Sequence, residues 1–255
     1  MRFHPPPTLH GQRGENIALT EIEIKLSCAD QARLLAAFRD DLLQGAAVSA
    51  PKTLHMHSEY YDTPDAALFA AGCSLRFRTE NGSGYITLKT DPPSANAACE
   101  RGGTGRSGEG DPDGAALSLS ETRNTAPRPD GLAVRSEYEF PATSFSDGLP
   151  RILAAAPQYA AALRAVLPQL RQTASVTYER VDLTARFGET VAAFSLDQGY
   201  LNGDAENRFF ELEAELKRGD VETLHAVCRT LSKTYGLVPV TVSKLRRALD
   251  ARRSQ

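Results

Sequence analysis

The sequence predicts an all-β-dominated α+β chain whose antiparallel sheet curves or closes into a barrel. Three observations predict it. Apolar and polar residues alternate in one segment after another, the mark of strands with one buried face. Turn residues join neighbouring segments as hairpins do. No helix-sized internal repeat competes with the strands.

The first strand covers residues 18–27. Asp30 then reads as an N-cap, with Leu34, Leu35, Phe38, Leu42 and Leu43 at helical spacing and Gly45 as the stop. A strand over 53–61 ends in Tyr60-Tyr61-Asp62, Thr63-Pro64 opens a short helix, and Gly72 closes it. Strands at 74–79 and 85–90 flank Glu80-Asn81-Gly82-Ser83-Gly84, a hairpin signal. Residues 91–131 are rich in Gly, Pro, Ser, Ala and Asn, and read as a long mobile insertion loop whose Arg101, Arg106 and Arg123 are solvated charges.

Pattern resumes with a strand at 134–140 and helical spacing over 146–170, broken or kinked at Pro157. Strands are expected at 174–187, 190–197 and 208–217. A helix from Asp220 to Tyr235, closed by Gly236, buries Val221, Leu224, Val227, Cys228 and Leu231. A last strand at 237–242 leads to Ser243, the N-cap of a basic helix through Arg253.

A chain of 255 residues buries a full core. Its net charge of −3 excludes a nucleic-acid-binding polycation, so any basic site is local and no nucleic-acid partner is expected. Cys28, Cys73, Cys99 and Cys228 form no CxxC pair, which argues against structural zinc and for a reducing compartment. No apolar run reaches the ~20 residues of a membrane span. Residues 1–17 read as a flexible tail without a signal-peptide apolar region, and the expected location is cytoplasmic.

The strands carry unusual charge on their polar faces. Glu21, Glu23 and Lys25 share one face of the first strand, with Ile22, Ile24 and Leu26 on the other. Glu211, Glu213, Glu215 and Lys217 repeat that arrangement. Arg76 with Arg78, Lys89 with Tyr85 and Thr87, Arg135 with Glu137 and Glu139, and Arg180 with Arg186 add further one-sided faces, and Asp197 lies opposite Phe194 and Leu196. Each face points either to bulk water, as on an aggregation-resistant edge, or into a polar cavity. In a cavity, close carboxylates need a cation, and Mg²⁺ takes carboxylate oxygens. Arg and Lys hold phosphate oxygens. Such a mixed cavity suits a polyanion together with divalent metal.

These residues resemble the CYTH superfamily, the triphosphate tunnel metalloenzymes. Glu21-x-Glu23-x-Lys25 is similar to the family's N-terminal ExExK signature. Tyr60-Tyr61-Asp62-Thr63-Pro64, Leu75-Arg76-Phe77-Arg78, Thr87-Leu88-Lys89, Arg135-x-Glu137-x-Glu139, Leu196-Asp197-x-Gly199, Glu211-Leu212-Glu213-x-Glu215-Leu216-Lys217 and Ser243-Lys244 follow in the family's order. The resemblance implies a closed antiparallel barrel of about eight strands around a charged tunnel, with flanking helices, as one domain over 18–253.

It also implies Mg²⁺ or Mn²⁺ and a triphosphate-containing small molecule as partners, on a monomer or homodimer. Glu21, Glu23, Glu211 and Glu213 correspond to metal ligands, with Glu137, Glu139, Asp197 and Glu215 as additional ones. Lys25, Arg76, Arg78, Lys89, Arg135, Arg180 and Lys244 correspond to the phosphate-binding set, and Lys25, Glu21 and Glu23 to the catalytic group. Lys217 lies near its strand end, where solvent is in reach. Arg246 and Arg247 fit helix-surface charges equally well.

Within the family, the motif forms resemble the bacterial inorganic triphosphatases, whose members often carry a C-terminal CHAD-type helical domain that residues up to Gln255 do not include. The absence of Trp counts against a thiamine triphosphatase. A class IV adenylate cyclase and a non-catalytic polyphosphate-binding module also stay open. His55 and His57 read as ordinary strand residues, Tyr60 and Tyr61 as residues ordering the strand–helix corner, residues 153–166 as a packing helix, and the cysteines as small buried hydrophobes.

Overall fold

The computed structural model describes residues 19–91 and 130–253. The tail expected over 1–17 and nearly all of the 91–131 insertion lie outside these residues. The strands are β1 (Leu19–Ser27), β2 (Lys52–Asp62), β3 (Cys73–Glu80), β4 (Ser83–Thr90), β5 (Leu132–Pro141), β6 (Arg171–Phe187), β7 (Thr190–Leu201), β8 (Asp204–Arg218) and β9 (Val238–Pro239). They form one antiparallel sheet in the order β5-β4-β3-β2-β6-β7-β8-β1-β9. β1 also pairs with β5, which closes eight strands into a barrel and leaves β9 as a short addition on β1. This is the closed antiparallel barrel that the sequence predicts.

Helices cover two sides of the barrel. α1 (Gln31–Phe38), α2 (Asp41–Gln44) and α6 (Val221–Tyr235) bury Leu34, Phe38, Leu43, Leu224 and Leu231 against Ile24, Leu26, Leu183, Phe194 and Leu212. α4 (Phe145–Ala155) and α5 (Pro157–Val166) bury Ile152, Tyr159 and Leu163 against Leu75, Ile86, Leu88 and Tyr138. Each such side chain contributes about 1.5–3 kcal/mol on burial. A one-residue slip of any strand would turn that face inward, so these contacts fix the register.

A third cluster lies inside one end of the barrel. Met56, Tyr60, Val176, Tyr178, Leu201 and Phe209 meet Leu245 and Ala248 of α7 (Lys244–Arg253). Ser243 caps that helix by accepting from the Arg246 N–H, and the Asn202 side chain donates to the Ala248 carbonyl at 2.7 Å. The helix therefore stoppers the barrel, and its first residue, Lys244, is buried.

Local chemistry moves several expected boundaries. The single helix expected over 30–45 is two, because Asp40 caps a second turn by accepting from Leu42 N–H. The helix expected from Pro64 shrinks to α3 (Ala67–Ala70), because the Asp62 carboxylate accepts from the N–H groups of Thr63, Leu68 and Phe69 and holds 63–66 as a turn. The five-residue hairpin connection is only Asn81-Gly82, both left-handed at φ 48° and 89°, a turn that matches strand twist. Asn202-Gly203 does the same at φ 53° and 75°, so β7 and β8 run on through the expected gap at 198–207. The last strand is cut to Val238–Pro239, since proline brings no N–H to the ladder. The break at Pro157 stands as expected, with proline at the start of α5. Among the described residues no helix is long and apolar enough to cross a membrane.

Candidate functional site

Residues directly opposite in an antiparallel ladder share a face. The register therefore carries one face around the barrel. Glu21 lies opposite Arg135, Glu137 opposite Lys89, Glu139 opposite Thr87, and Arg76 between Thr87 and Tyr60. Across the barrel, Arg180 lies opposite Asp197, Asp197 opposite Glu211, Lys25 opposite Glu213, and Glu23 opposite Glu215. Their strand neighbours pack under the helices, so these charges face the lumen. Glu23 is 4 % exposed, and Asp197 and Glu211 are 0 % exposed. That burial excludes a solvated edge face.

The charges sort into two groups. In the first, Asp197, Glu211 and Glu213 bring carboxylate oxygens within 4.8 Å of one another. The Arg180 guanidinium grips Asp197 with Nε and Nη2, both at 2.7 Å, and Nη2 also reaches Glu213 at 2.5 Å. Lys244 Nζ lies 2.7 Å from Glu213 and 2.9 Å from Asp197, and it abuts Glu211 Oε1. Arg247 donates to the other Glu211 oxygen at 2.6 Å. Lys25 lies 3.4 Å from Glu213 and donates to Glu23. Tyr178 and Phe209 wall this group, with the Lys244 ammonium 5.3 and 5.4 Å from their ring centres.

In the second group, Lys89 Nζ sits 2.6 Å from both Glu21 oxygens and 3.4 Å from Glu137. Arg76 lies 3.7 Å from Glu137 and 3.8 Å from Glu139. Arg78 reaches Glu139 at 3.1 Å and Glu80 at 2.7 Å, and the buried Thr87 hydroxyl donates to Glu139 at 2.7 Å.

Neighbours overrule desolvation here. Burial alone would raise the Glu213 carboxyl, but Lys244, Lys25 and Arg180 hold it well below its ordinary value. Burial likewise opposes ionisation of Glu21, and Lys89 outweighs it. Burial would lower the Lys25 and Lys244 ammoniums, yet Glu213 and Glu23 hold Lys25 up, and Asp197, Glu211 and Glu213 hold Lys244 up. Glu215 moves the other way: burial raises its carboxyl, and the half-exposed Lys217 offsets only part of that.

The structure thus places the sequence-predicted residues in these two groups, except Glu215, which pairs with Lys217, and Arg135, whose guanidinium lies 3.7 Å from Asp91. It also regroups the acids. Glu21 and Glu23 lie outside the tight carboxylate cluster, which Asp197 completes. Lys217 is half-exposed beside Glu215, as its position at the strand end implies. Arg246 is a surface residue paired with Asp250, whereas Arg247 reaches the lumen. The signal for Arg247 is its spacing, one helical turn beyond Lys244 on the same face. Tyr178 is a further lumen residue that sequence pattern does not single out, though it shares a face with Arg180 two residues on. His55 and His57 lie on the outer face opposite Glu179 and Thr177, outside the cluster. Tyr61 stacks on Phe145 at 3.8 Å, while Tyr60 turns inward to the stopper.

Three buried carboxylates are hard oxygen donors of the kind a divalent ion takes. Glu211 Oε1 is buried and abutted by the Lys244 ammonium. The donor set and its convergence within 4.8 Å fit a divalent cation.

The CYTH domain family model matches residues 19–104, the span holding Glu21, Glu23, Lys25, Arg76, Arg78 and Lys89. Among solved structures, this chain is similar to the Hippeastrum protein HpAC1, described as a candidate adenylyl cyclase with a dominant triphosphatase activity. The two are 18 % identical over 91 % of this chain and 96 % of that one, with a TM-score of 0.52, a likeness of fold. The PH1012 protein of Pyrococcus horikoshii OT3 is 14 % identical over 90 % and 98 %, with a TM-score of 0.47. A Bacillus halodurans protein described as a candidate adenylate cyclase is 14 % identical over 88 % and 93 %, with a TM-score of 0.46. No curated protein matches the sequence.

Proposed function

We propose that this chain hydrolyses inorganic triphosphate to orthophosphate and pyrophosphate in the barrel lumen, with Mg²⁺ or Mn²⁺. The observation that carries this reading is the buried lattice of ion pairs itself. Nearly every lumen cation is held by a lumen carboxylate. A polyanion entering the barrel draws those cations onto its own oxygens. The carboxylates left behind are then buried and uncompensated, which costs several kcal/mol per charge. A divalent ion restores the balance, so polyphosphate and metal suit this lumen together. The triphosphatase activity described for HpAC1 is consistent with that chemistry.

Asp197, Glu211 and Glu213 would hold the metal, with Glu21, Glu23, Glu137 and Glu139 supplying carboxylate as their cations turn to substrate. When bound, the ion supplies charge stabilisation to phosphate oxygens and acidifies a water. Arg180, Lys244, Arg247 and Lys25 bind phosphate oxygens from one side of the lumen, and Lys89, Arg76 and Arg78 from the other. Arg135 joins the second set by turning from Asp91. The strands fix these donors before substrate arrives, so little reorganisation accompanies the developing charge. Lys25 is held as an ammonium by Glu213 and Glu23, so it acts as a charge and not as the acceptor of water's proton.

We propose a cytoplasmic location, in keeping with the free thiols of Cys28, Cys73 and Cys228. The deciding experiment is incubation with tripolyphosphate, ATP or thiamine triphosphate, with Mg²⁺, Mn²⁺ or EDTA, and identification of products. Metal-dependent orthophosphate release, fastest from tripolyphosphate, is expected. Cyclic AMP, or fastest cleavage of thiamine triphosphate, would move the function while keeping the lumen chemistry. Tight tripolyphosphate binding without turnover would make the chain a binding module.

A further inference from the structure

The Lys244 ammonium occupies the ground that a divalent ion needs. It lies 2.7 Å from Glu213 and 2.9 Å from Asp197, and it abuts Glu211. These are the three carboxylates whose oxygens converge within 4.8 Å. A metal bonded to the same oxygens at about 2.1 Å would overlap an ammonium at that position. The two cations are therefore mutually exclusive.

Only the side chain can give way. Lys244 is the first residue of α7, and that helix is pinned inside the barrel by Leu245 and Ala248, by the Ser243 cap, and by the Asn202–Ala248 hydrogen bond. The lysine stem is four carbons long and rotatable. Swinging off the carboxylates leaves the ammonium buried beside Tyr178 and Phe209, where it needs another anion. Arg180 cannot take its place, because both its prongs are fixed on Asp197 and Glu213.

We infer that Lys244 is a built-in competitor of the metal, which makes divalent-cation binding conditional on the triphosphate. In the free protein the lysine neutralises Asp197, Glu211 and Glu213 and keeps divalent ions weakly bound. Triphosphate oxygens take the ammonium, and the three carboxylates open to the metal. Coupling between the two ligands is then reciprocal: each raises the other's affinity by the same factor. This inference rests on the reading of the lumen as a triphosphate and metal site.

The test is Mn²⁺ binding to the substrate-free protein, followed by electron paramagnetic resonance and calorimetry, in the native chain and in Lys244→Met and Lys244→Arg. Lys244→Met is expected to bind Mn²⁺ roughly tenfold or more tightly than the native protein, and Lys244→Arg to stay weak. The gain should vanish in Lys244→Met combined with Glu211→Gln. Because Lys244→Met exposes buried carboxylates to mutual repulsion, its thermal midpoint should also rise with Mn²⁺ more than the native protein's does. Equal affinity in native and Lys244→Met proteins overturns the inference and leaves the triphosphatase reading intact. Absence of Mn²⁺ binding in every substrate-free variant likewise overturns the inference alone, whereas turnover of tripolyphosphate in EDTA overturns the metal reading and the inference with it.

Discussion

Arg180 and Asp197 face each other across β6 and β7 and form a two-pronged ion pair, Nε to Oδ1 and Nη2 to Oδ2, both 2.7 Å. Asp197 is 0 % exposed, so its charge has no water to fall back on. Arg180→Met is expected to lower stability by about 3 kcal/mol, because it leaves that buried carboxylate with Lys244 as its one remaining ion-pair partner among the described residues. Arg180→Met with Asp197→Asn should recover much of the loss, since the double variant leaves no unpaired charge. Urea unfolding of the two single variants and the double variant measures the coupling. Additive losses would mean that the pair does not anchor the lumen.

The same lattice sets the response to pH. The folded pKa values of Glu213 and Glu21 lie below the ordinary 4.5, so their contribution is fully present above that pH and is lost as pH falls through the depressed values. Lys25 and Lys244 lie above the ordinary 10.5, so their contribution is fully present below it and is lost only as pH rises beyond. The contributions of these four groups should therefore all be present between about 4.5 and 10.5, while Glu215, whose carboxyl burial raises, tilts the other way and loses its contribution as pH climbs past its ordinary value. Unfolding free energy measured across pH should fall on the acid side, and Glu213→Gln should flatten that acid limb.

What is legible in the sequence follows from what each signal encodes. Alternation tells which residues share a face, and it places Glu21, Glu23, Lys25, Arg76, Arg78, Glu211 and Glu213 on one side of their strands. Alternation carries no information on which strands neighbour each other. The pairing of Glu21 with Lys89 rather than with Glu211 and Glu213 depends on β1 meeting β5 on one edge and β8 on the other. Arg247 is obscured because a short, highly charged helix reads as solvated until its stopper role is known. The Asn202-Gly203 turn is hidden for a different reason: the polar run 202–208 resembles a loop, yet most of it is β8.

Turnover should depend on the carboxylates singly. Glu213→Gln removes one charge from the metal-type cluster and from three cations at once, and Glu21→Gln takes the shortest carboxylate contact from Lys89. Each is expected to abolish metal-dependent orthophosphate release, a loss of at least ~100-fold in kcat/KM, with the barrel still folded by circular dichroism. Native rates in either variant would remove that residue from the site.

Gly199 ties the Leu196-Asp197-x-Gly199 motif to the site through space and not through charge. It lies opposite Tyr178, and a Cβ there would stand 2.4 Å from the Tyr178 Cβ and 2.1 Å from the Thr177 carbonyl oxygen. Neither neighbour is the free end of a flexible side chain, so β6 and β7 must part to admit it. Tyr178 also walls Lys244 and Arg180, with centroid distances of 5.3 and 5.6 Å. Gly199→Ala should therefore lower stability by about 1–3 kcal/mol through overpacking and disturb the lumen as well. Glycine at 203, with φ 75° and nothing near its missing Cβ, provides the contrast. Gly203→Ala should cost only about 1 kcal/mol of backbone strain and leave turnover unchanged. Thermal unfolding and tripolyphosphate kinetics on the two variants separate the cases, and equal kinetic losses would show that Gly199 acts on the fold alone.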